Sequence, residues 1–493
     1  MRLPSFLLAL LLATNGWAAR LNPRAYGAMG DGQHIDSDAI NAALLAAAAE
    51  GDTVTLDAGT YLCYSIHLQS GITLQLGHGA VIKAAPVTAT EGYDHAEAND
   101  SRYQDFGHSH WHNSLIWGED LHDVTLEGEG LIDGSGVLTR GGERKSSSGQ
   151  TTANKALALR NCQRVNVRGL SFRACGHFAI LFTGVDDVLI DGVTADTNRD
   201  GFDIDCCEHV VIRNCRVNTV NDDAIVLKCS YALGWAKPTA HVVIEDCHVS
   251  GFDVGSLLDG THTTATLKAP DGDGPTGRIK LGTESNGDFR HIVIRRCTFT
   301  HCRGLALETV DGATMEDIDV SELTMTDICN PPLYIRLGNR MRGPEGLHPS
   351  VVKNIHIRNI SATEADSRYA ACLIVGTEGH PVRDVSISDF YVQAKGGLTL
   401  DDFRQQRGAN PFFFEKIRQT GQGGVKLYPE PASHGLQPSW GISIQHARDI
   451  KMRNVRLEAM QKDERPTLYT DDVKRVRFRR ASVSHAGVIE KLR

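Results

Sequence analysis

The sequence predicts an all-β fold: a right-handed parallel β-helix, a solenoid, with an N-terminal capping helix and long loops on one side. Three observations predict it. One short strand template recurs along the chain, as VNVRGLSF from Val165, VLIDGVTA from Val188, VVIRNCRV from Val210, VVIEDCHV from Val242 and IVIRRCTF from Ile292. Its tightest spacing, ~22–26 residues, is that of a solenoid coil. A helical pattern occurs convincingly once, whereas an α/β barrel needs a helix after every strand. Each copy alternates apolar and polar residues, turns at Asn, Asp or Gly and resumes the alternation, as one strand bending into the next.

Taken in order, the chain opens with MRLPSFLLALLLATNGWAA, in which Arg2 precedes an apolar run from Phe6 to Ala13 and small residues at Gly16, Ala18 and Ala19. That is the pattern of a signal peptide, residues 1–18, cleaved near Ala18/Ala19, and it predicts a secreted or periplasmic protein. The run is too short to span a bilayer, and no other stretch approaches ~20 apolar residues, so no membrane partner is expected. Residues 19–90 form the cap and the first coils. The Ala- and Leu-rich segment from Ala39 to Glu50 follows Ser37 and Asp38, both suited to N-capping, and covers the apolar surface and strand edges that a first coil would otherwise expose. From Glu91 to Glu119 a polar, irregular loop gathers His108, His110, Trp111, His112 and Trp117; its aromatics settle on the coils, with Trp111 a candidate for stacking on a sugar. The template then runs to Val476, interrupted by insertions at Ser250–Gly277, Asn339–Ser350 and 394–440, and residues 19–493 read as one catalytic domain.

A net charge of −9 leaves no broad basic surface, which argues against nucleic acid as a partner. Twelve cysteines in an exported chain suggest disulfides. Cys215, Cys247 and Cys297, however, take the same place in IRNC, IEDC and IRRC, which predicts an inward stack of buried thiols. No CxxC pair with a matching partner set occurs, so no metal site and no cofactor are expected.

Chemistry concentrates between Asn198 and Lys228. Aligning the strand that precedes each template copy matches Phe178, Asp200, Asp223, Arg278, Leu305 and Leu333 on successive coils. With rungs ~4.8 Å apart, Asp200, Asp203, Asp222, Asp223, Lys228, Arg278 and Lys280 fall into one patch. Carboxylates so close repel one another, so one is expected to hold a proton beside ionised neighbours, the pairing that glycoside hydrolysis uses.

At these residues the chain resembles the polygalacturonase-type glycoside hydrolases of family 28, right-handed parallel β-helices that act on pectic polysaccharides. Asn198-Arg199-Asp200 stands for the family's Asn-Thr-Asp and Asp222-Asp223 for its Asp-Asp; AYGAMGDGQHIDSDAINAAL and GEGLIDGSG also look like that superfamily. The resemblance implies Asp222 as general acid, Asp200 and Asp223 as the carboxylates that activate water, inversion at the cleaved bond, and an enzyme acting on a poly- or oligosaccharide without a metal; a monomer is expected. Substrate-binding candidates are Asn198, Asp203, Lys228, Arg278, Lys280, Glu308, Arg336 and His177. Two motifs depart from the family. Thr276-Gly277-Arg278 stands where it has Gly-His-Gly, and Ala306-Leu307-Glu308 where its Arg-Ile-Lys holds a substrate carboxylate. Glu308 in that place would repel a uronate. Either Arg278 and Lys280 one coil earlier or Arg336 one coil later supply the charge, or the bound sugar is neutral, such as rhamnose or galactose. Long loops able to wall off one end of a groove favour exo attack.

Two other readings fit the same fold. A Ca²⁺-dependent pectate-type lyase would use Asp200, Asp203 and Asp223 as ligands and Lys228 or Lys280 as base. A non-catalytic glycan-binding β-helix would need no clustered acids.

Overall fold

The computed structural model describes residues 20–99, 102–140, 149–270, 272–402, 405, 428–431, 436–485 and 488–491. The segment read as a signal peptide and most of the 394–440 insertion lie outside these residues. Among the described residues no helix is long and apolar enough to cross a membrane.

The architecture is a parallel β-helix. The template strands stack in unbroken register, Val165 on Val188, Val188 on Val210, Val210 on Val242 and Val242 on Ile292, continuing through Ile318, Ile355, Val385 and Ile450 to Val476. The residue before each of these is a tight corner. Arg164, Asp187, His209, His241, His291, Asp317, Asn354, Asp384, Asp449 and Arg475 all have φ between 55° and 58°. Asn and Asp visit this left-handed conformation most readily among non-glycine residues, and His and Arg hold it here within the stack; the turn letters inside the template mark a second such corner, as at Gly192, Asn214 and Asp246 (φ 67°, 55° and 54°).

The sheet that carries the site runs through β1 (Lys155–Arg160), β2 (Phe178–Thr183), β3 (Asp200–Asp205), β4 (Ile225–Cys229), β5 (Ile279–Ser285), β6 (Leu305–Thr309) and β7 (Leu333–Leu337). Leu157, Ile180, Phe202, Ile225 and Ile279 form one inward column, all fully buried. Strand alternation turns the neighbouring column outward, so Leu181, Asp203, Val226, Lys280, Ala306 and Tyr334 lie one above another on the outer face. Loops cover that face, and its polar members are buried although they lie outside the coil.

At the N-terminal end α1 (Ser37–Glu50) buries Ile40, Ala43, Leu44 and Ala47 and stops at Gly51, whose φ of 73° needs a residue without a Cβ penalty. Its start differs from the expected cap. Asp36 takes the cap position without a side-chain cap bond, because its carboxylate accepts from the backbone N–H of Met29 and Gly30, and Ser37 Oγ accepts from Tyr64 N–H. At the other end Val488–Lys491 turns back antiparallel onto Ser482–His485. The cysteines are thiols: all twelve are unbonded to one another and all but Cys329 are buried. Cys215, Cys247 and Cys297 lie close to the carbonyls of Ile190, Ile212 and Ile244, each one coil earlier.

Candidate active site

Asp200 opens β3, and the pairing of Phe202 with Ile225 sets it opposite Asp223, whose carbonyl accepts from Gly201 N–H at 3.0 Å. Asp222 follows from the same turn, where Asn221 Nδ2 donates to Asn198 Oδ1 at 2.6 Å. The result is three carboxylates, one oxygen from each lying within 4.8 Å of the others. They line a cavity of about 430 Å³ together with Lys228 and with Asp105, His108, Arg140, Arg303, Arg342 and Glu430, among others.

The three acids sit in unequal environments. Asp200 is buried, and burial together with the charge of Asp222 pushes its carboxyl well above the usual carboxylate range. The ring of His177, 4.0 Å away and stacked on Phe178, supplies no compensating charge, because burial and the neighbouring His108 keep it neutral. Burial acts on Asp223 as well, but Lys280 at 3.3 Å and Arg278 at 2.8 Å outweigh it and hold that carboxylate ionised. Asp222 keeps about a fifth of its side-chain surface and pairs with Arg199 at 2.5 Å. A protonated and an ionised carboxyl therefore stand side by side, the condition for general acid–base work.

Behind Asp223 lies a buried ionic cluster. The alignment of Asp223 with Arg278 expected from sequence is one residue off: Ile225 pairs with Ile279, which sets Ala224 opposite Arg278. The insertion before β5 shifts the frame that the repeat alone would give. Arg278 and Lys280 are both within 1 % of full burial, and neither lines the cavity. Their partner besides Asp223 is Glu430, from the 394–440 insertion, which contacts Arg278 Nη2, takes Lys280 Nζ at 3.0 Å and takes Arg303 Nη1 at 3.2 Å.

Glu308 is also fully buried, 3.6 Å from Lys280 and 4.0 Å from Arg278, with neither oxygen in a hydrogen bond among the described residues. Burial pushes its carboxyl up to about 8. The folded chain thus keeps a proton there that an unfolded chain releases near 4.5. The stability this provides is complete below about 4.5 and is lost as pH rises through about 8. Glu308→Gln is expected to gain on the wild type as pH rises, by a few kcal/mol at pH 9; denaturant melts at pH 5 and pH 9 measure the difference, and equal differences at both would contradict it.

Other candidates move away from the cavity. Arg336 points into the coil wall, where it donates to the carbonyls of Leu337 and Gly376 at 2.6 and 2.8 Å, so it is not placed to meet a substrate. Trp111 is fully buried with Nε1 on Thr183, and presents no face to a sugar. Asn198 is exposed but outside the cavity, while Asp203 and His177 lie buried behind it. Lys228 does line the cavity. It donates to Asp203 at 2.7 Å, touches His108 Nε2 and lies 3.5 Å from Glu284. The three carboxylates that the calcium reading requires are thus differently engaged: Asp203 holds the Lys228 ammonium, Asp223 holds Arg278 and Lys280, and Asp200 is kept protonated. His108, fixed by Asp105 at 2.7 Å, was visible in sequence as one of the clustered loop histidines. Glu284, Arg303, Arg342 and Glu430 carried no sequence signal.

The profile described as glycosyl hydrolases family 28 matches residues 74–266, the span that contains all three carboxylates. An exopolygalacturonase of Arabidopsis thaliana is 24% identical over 409 residues, covering 77% of this chain and 78% of its own. A polygalacturonase of Chamaecyparis obtusa is 25% identical over 448 residues, covering 85% and 75%. Over residues 74–266 the chain matches family 28 of the glycosyl hydrolases. The family 28 exopolygalacturonase of Yersinia enterocolitica shares its fold, with a TM-score of 0.62 at 16% identity over 93% of this chain and 78% of that one. The protein is a glycoside hydrolase, and its clustered aspartates lie in the matched region.

Proposed function

We propose that this family 28 enzyme cleaves glycosidic bonds of pectic polysaccharide, of the galacturonan or rhamnogalacturonan type, outside the cytoplasm after loss of residues 1–18, acting as a monomer from a chain end and with inversion. The observation that carries the reading is the cluster of Asp200, Asp222 and Asp223 within 4.8 Å, where one carboxyl is held protonated and another ionised. Asp222, with side-chain surface open to the cleft, delivers the proton to the leaving oxygen, and Asp200, whose carboxyl is pushed up by burial and stands beside it, is the source of that proton. Asp200 and Asp223 hold the attacking water between them. Two oxygens 4.8 Å apart or less can both accept from one water at ~2.8 Å. Exo attack is supported by the loops that crowd the cavity, through Asp105 and His108 on one side, Ala269 and Pro270 on another, and Arg342 and Glu430.

One observation favours a second reading. Carboxylates this close are nearer to the ~5–5.5 Å of retaining enzymes than to the ~6.5–9.5 Å of most inverting ones. Proton NMR of the first product formed from a pectic oligosaccharide decides. The inverted anomer is expected in the first minutes; the retained anomer would transfer the nucleophile role to Asp200 or Asp223. Incubation with homogalacturonan and rhamnogalacturonan fragments tests the activity itself: reducing ends are expected without ultraviolet-absorbing unsaturated product, and with chelator present.

A further inference from the structure

We infer that Glu430 makes the inner sugar site selective for an uncharged sugar, so that the substrate is a pectic chain in which neutral residues alternate with uronates. The inference rests on the pectic-hydrolase reading and names the residue at the cleaved end. Its basis is the way Glu430 is held. The carboxylate comes from a segment about 150 residues downstream and spreads its two oxygens over three buried cations, Arg278, Lys280 and Arg303. This is the contact set that a sugar carboxylate would need, and the protein's own carboxylate already occupies it. Asp223 accepts from Arg278 Nε at 2.8 Å and lies 3.3 Å from Lys280 Nζ, and the Tyr428 hydroxyl lies 3.3 Å from the same Nζ. Nη1 of Arg278 has no acceptor, but it is shut away from solvent.

Three cations that do line the cavity are committed too. Arg199 is on Asp222, Lys228 is on Asp203, and Arg342 is on Glu284. A uronate seated beside Asp223 would therefore meet carboxylates whose cations are already shared, and would pay desolvation without gaining a partner. At the cavity's edge the pattern reverses. Arg140 lines the cavity, is exposed and has no ion pair among the described residues, so a substrate carboxylate that reaches it meets a guanidinium without a partner among those residues.

Galactose and galacturonate differ only at C6 and isolate the effect. Binding of each to the wild type, Glu430→Gln and Glu430→Asp is measured by calorimetry at pH 7, alongside kcat/KM on homogalacturonan and on alternating rhamnogalacturonan fragments. The wild type is expected to favour galactose over galacturonate and the alternating polymer over the homopolymer, each by about tenfold or more. Glu430→Gln is expected to shift the galacturonate-to-galactose ratio at least about tenfold toward the acid, and Glu430→Asp, which keeps the charge, to leave it near wild type. A wild type that prefers galacturonate, or a ratio that Glu430→Gln does not move, overturns the inference; the wild-type preference stands as a test even if the Gln variant does not fold. Absence of hydrolysis on every pectic substrate would instead overturn the activity reading, and the binding ratios would still be read.

Discussion

Asp222→Asn and Asp200→Asn are each expected to lower turnover by about 10²–10⁴-fold, the usual worth of a positioned acid or base. Folding should separate them from Asp223→Asn. Asp200 is buried and held protonated, so an uncharged amide of the same shape replaces it with little change in thermal midpoint. Asp222 is partly open to the cleft, and water can replace it on Arg199. Asp223 is different, because its charge balances Arg278 and Lys280, and its amide variant should lose both activity and stability. Steady-state kinetics with a melt of each variant reads both quantities, and turnover within tenfold of wild type in either of the first two would remove Asp222 or Asp200 from the reaction.

The second large effect is structural. Arg278 is fully buried between Asp223, Glu430 and Glu308, so Arg278→Met leaves ionised carboxylates in the interior with one cation fewer. Breaking a buried pair from one side costs about 3–5 kcal/mol, more than the packing of a methionine can restore. Adding Glu430→Gln to that variant removes the stranded charge and should recover part of the loss; the coupling between the two changes, taken from denaturant melts of the four proteins, is expected to exceed about 1 kcal/mol. A loss under 1 kcal/mol in Arg278→Met would mean that water reaches the cluster.

The fold was legible because a solenoid writes its geometry into the period. Val165, Val188 and Val210 stack as their spacing predicts, and the same spacing brings Asp200 opposite Asp223. The frame failed where the period failed. The insertion ending at Gly277 hides where the coil resumes, and Arg278 fell one residue from its expected partner. Glu308 was legible as a departure but not in its consequence, because sequence does not show that its column is roofed by loops. Arg336 looked like a spare cation until its guanidinium was found on backbone carbonyls. Glu430 was invisible for a different reason: it lies in a non-repeating insertion, and nothing in the local pattern says which coil it reaches.

In a solenoid each rung normally feels only its neighbours, and the ends fray without disturbing the middle. Glu430 breaks that rule. It is anchored between the strands Val382–Gly396 and Ile442–Gln461, late in the stack, yet its side chain rests on Arg278 in β5. Loosening of the last coils would therefore free the cation pocket while leaving the aspartates in place, so the enzyme's choice of sugar is tied to the stability of its far end, and heat or a C-terminal truncation would change what it accepts before it changes how fast it cuts.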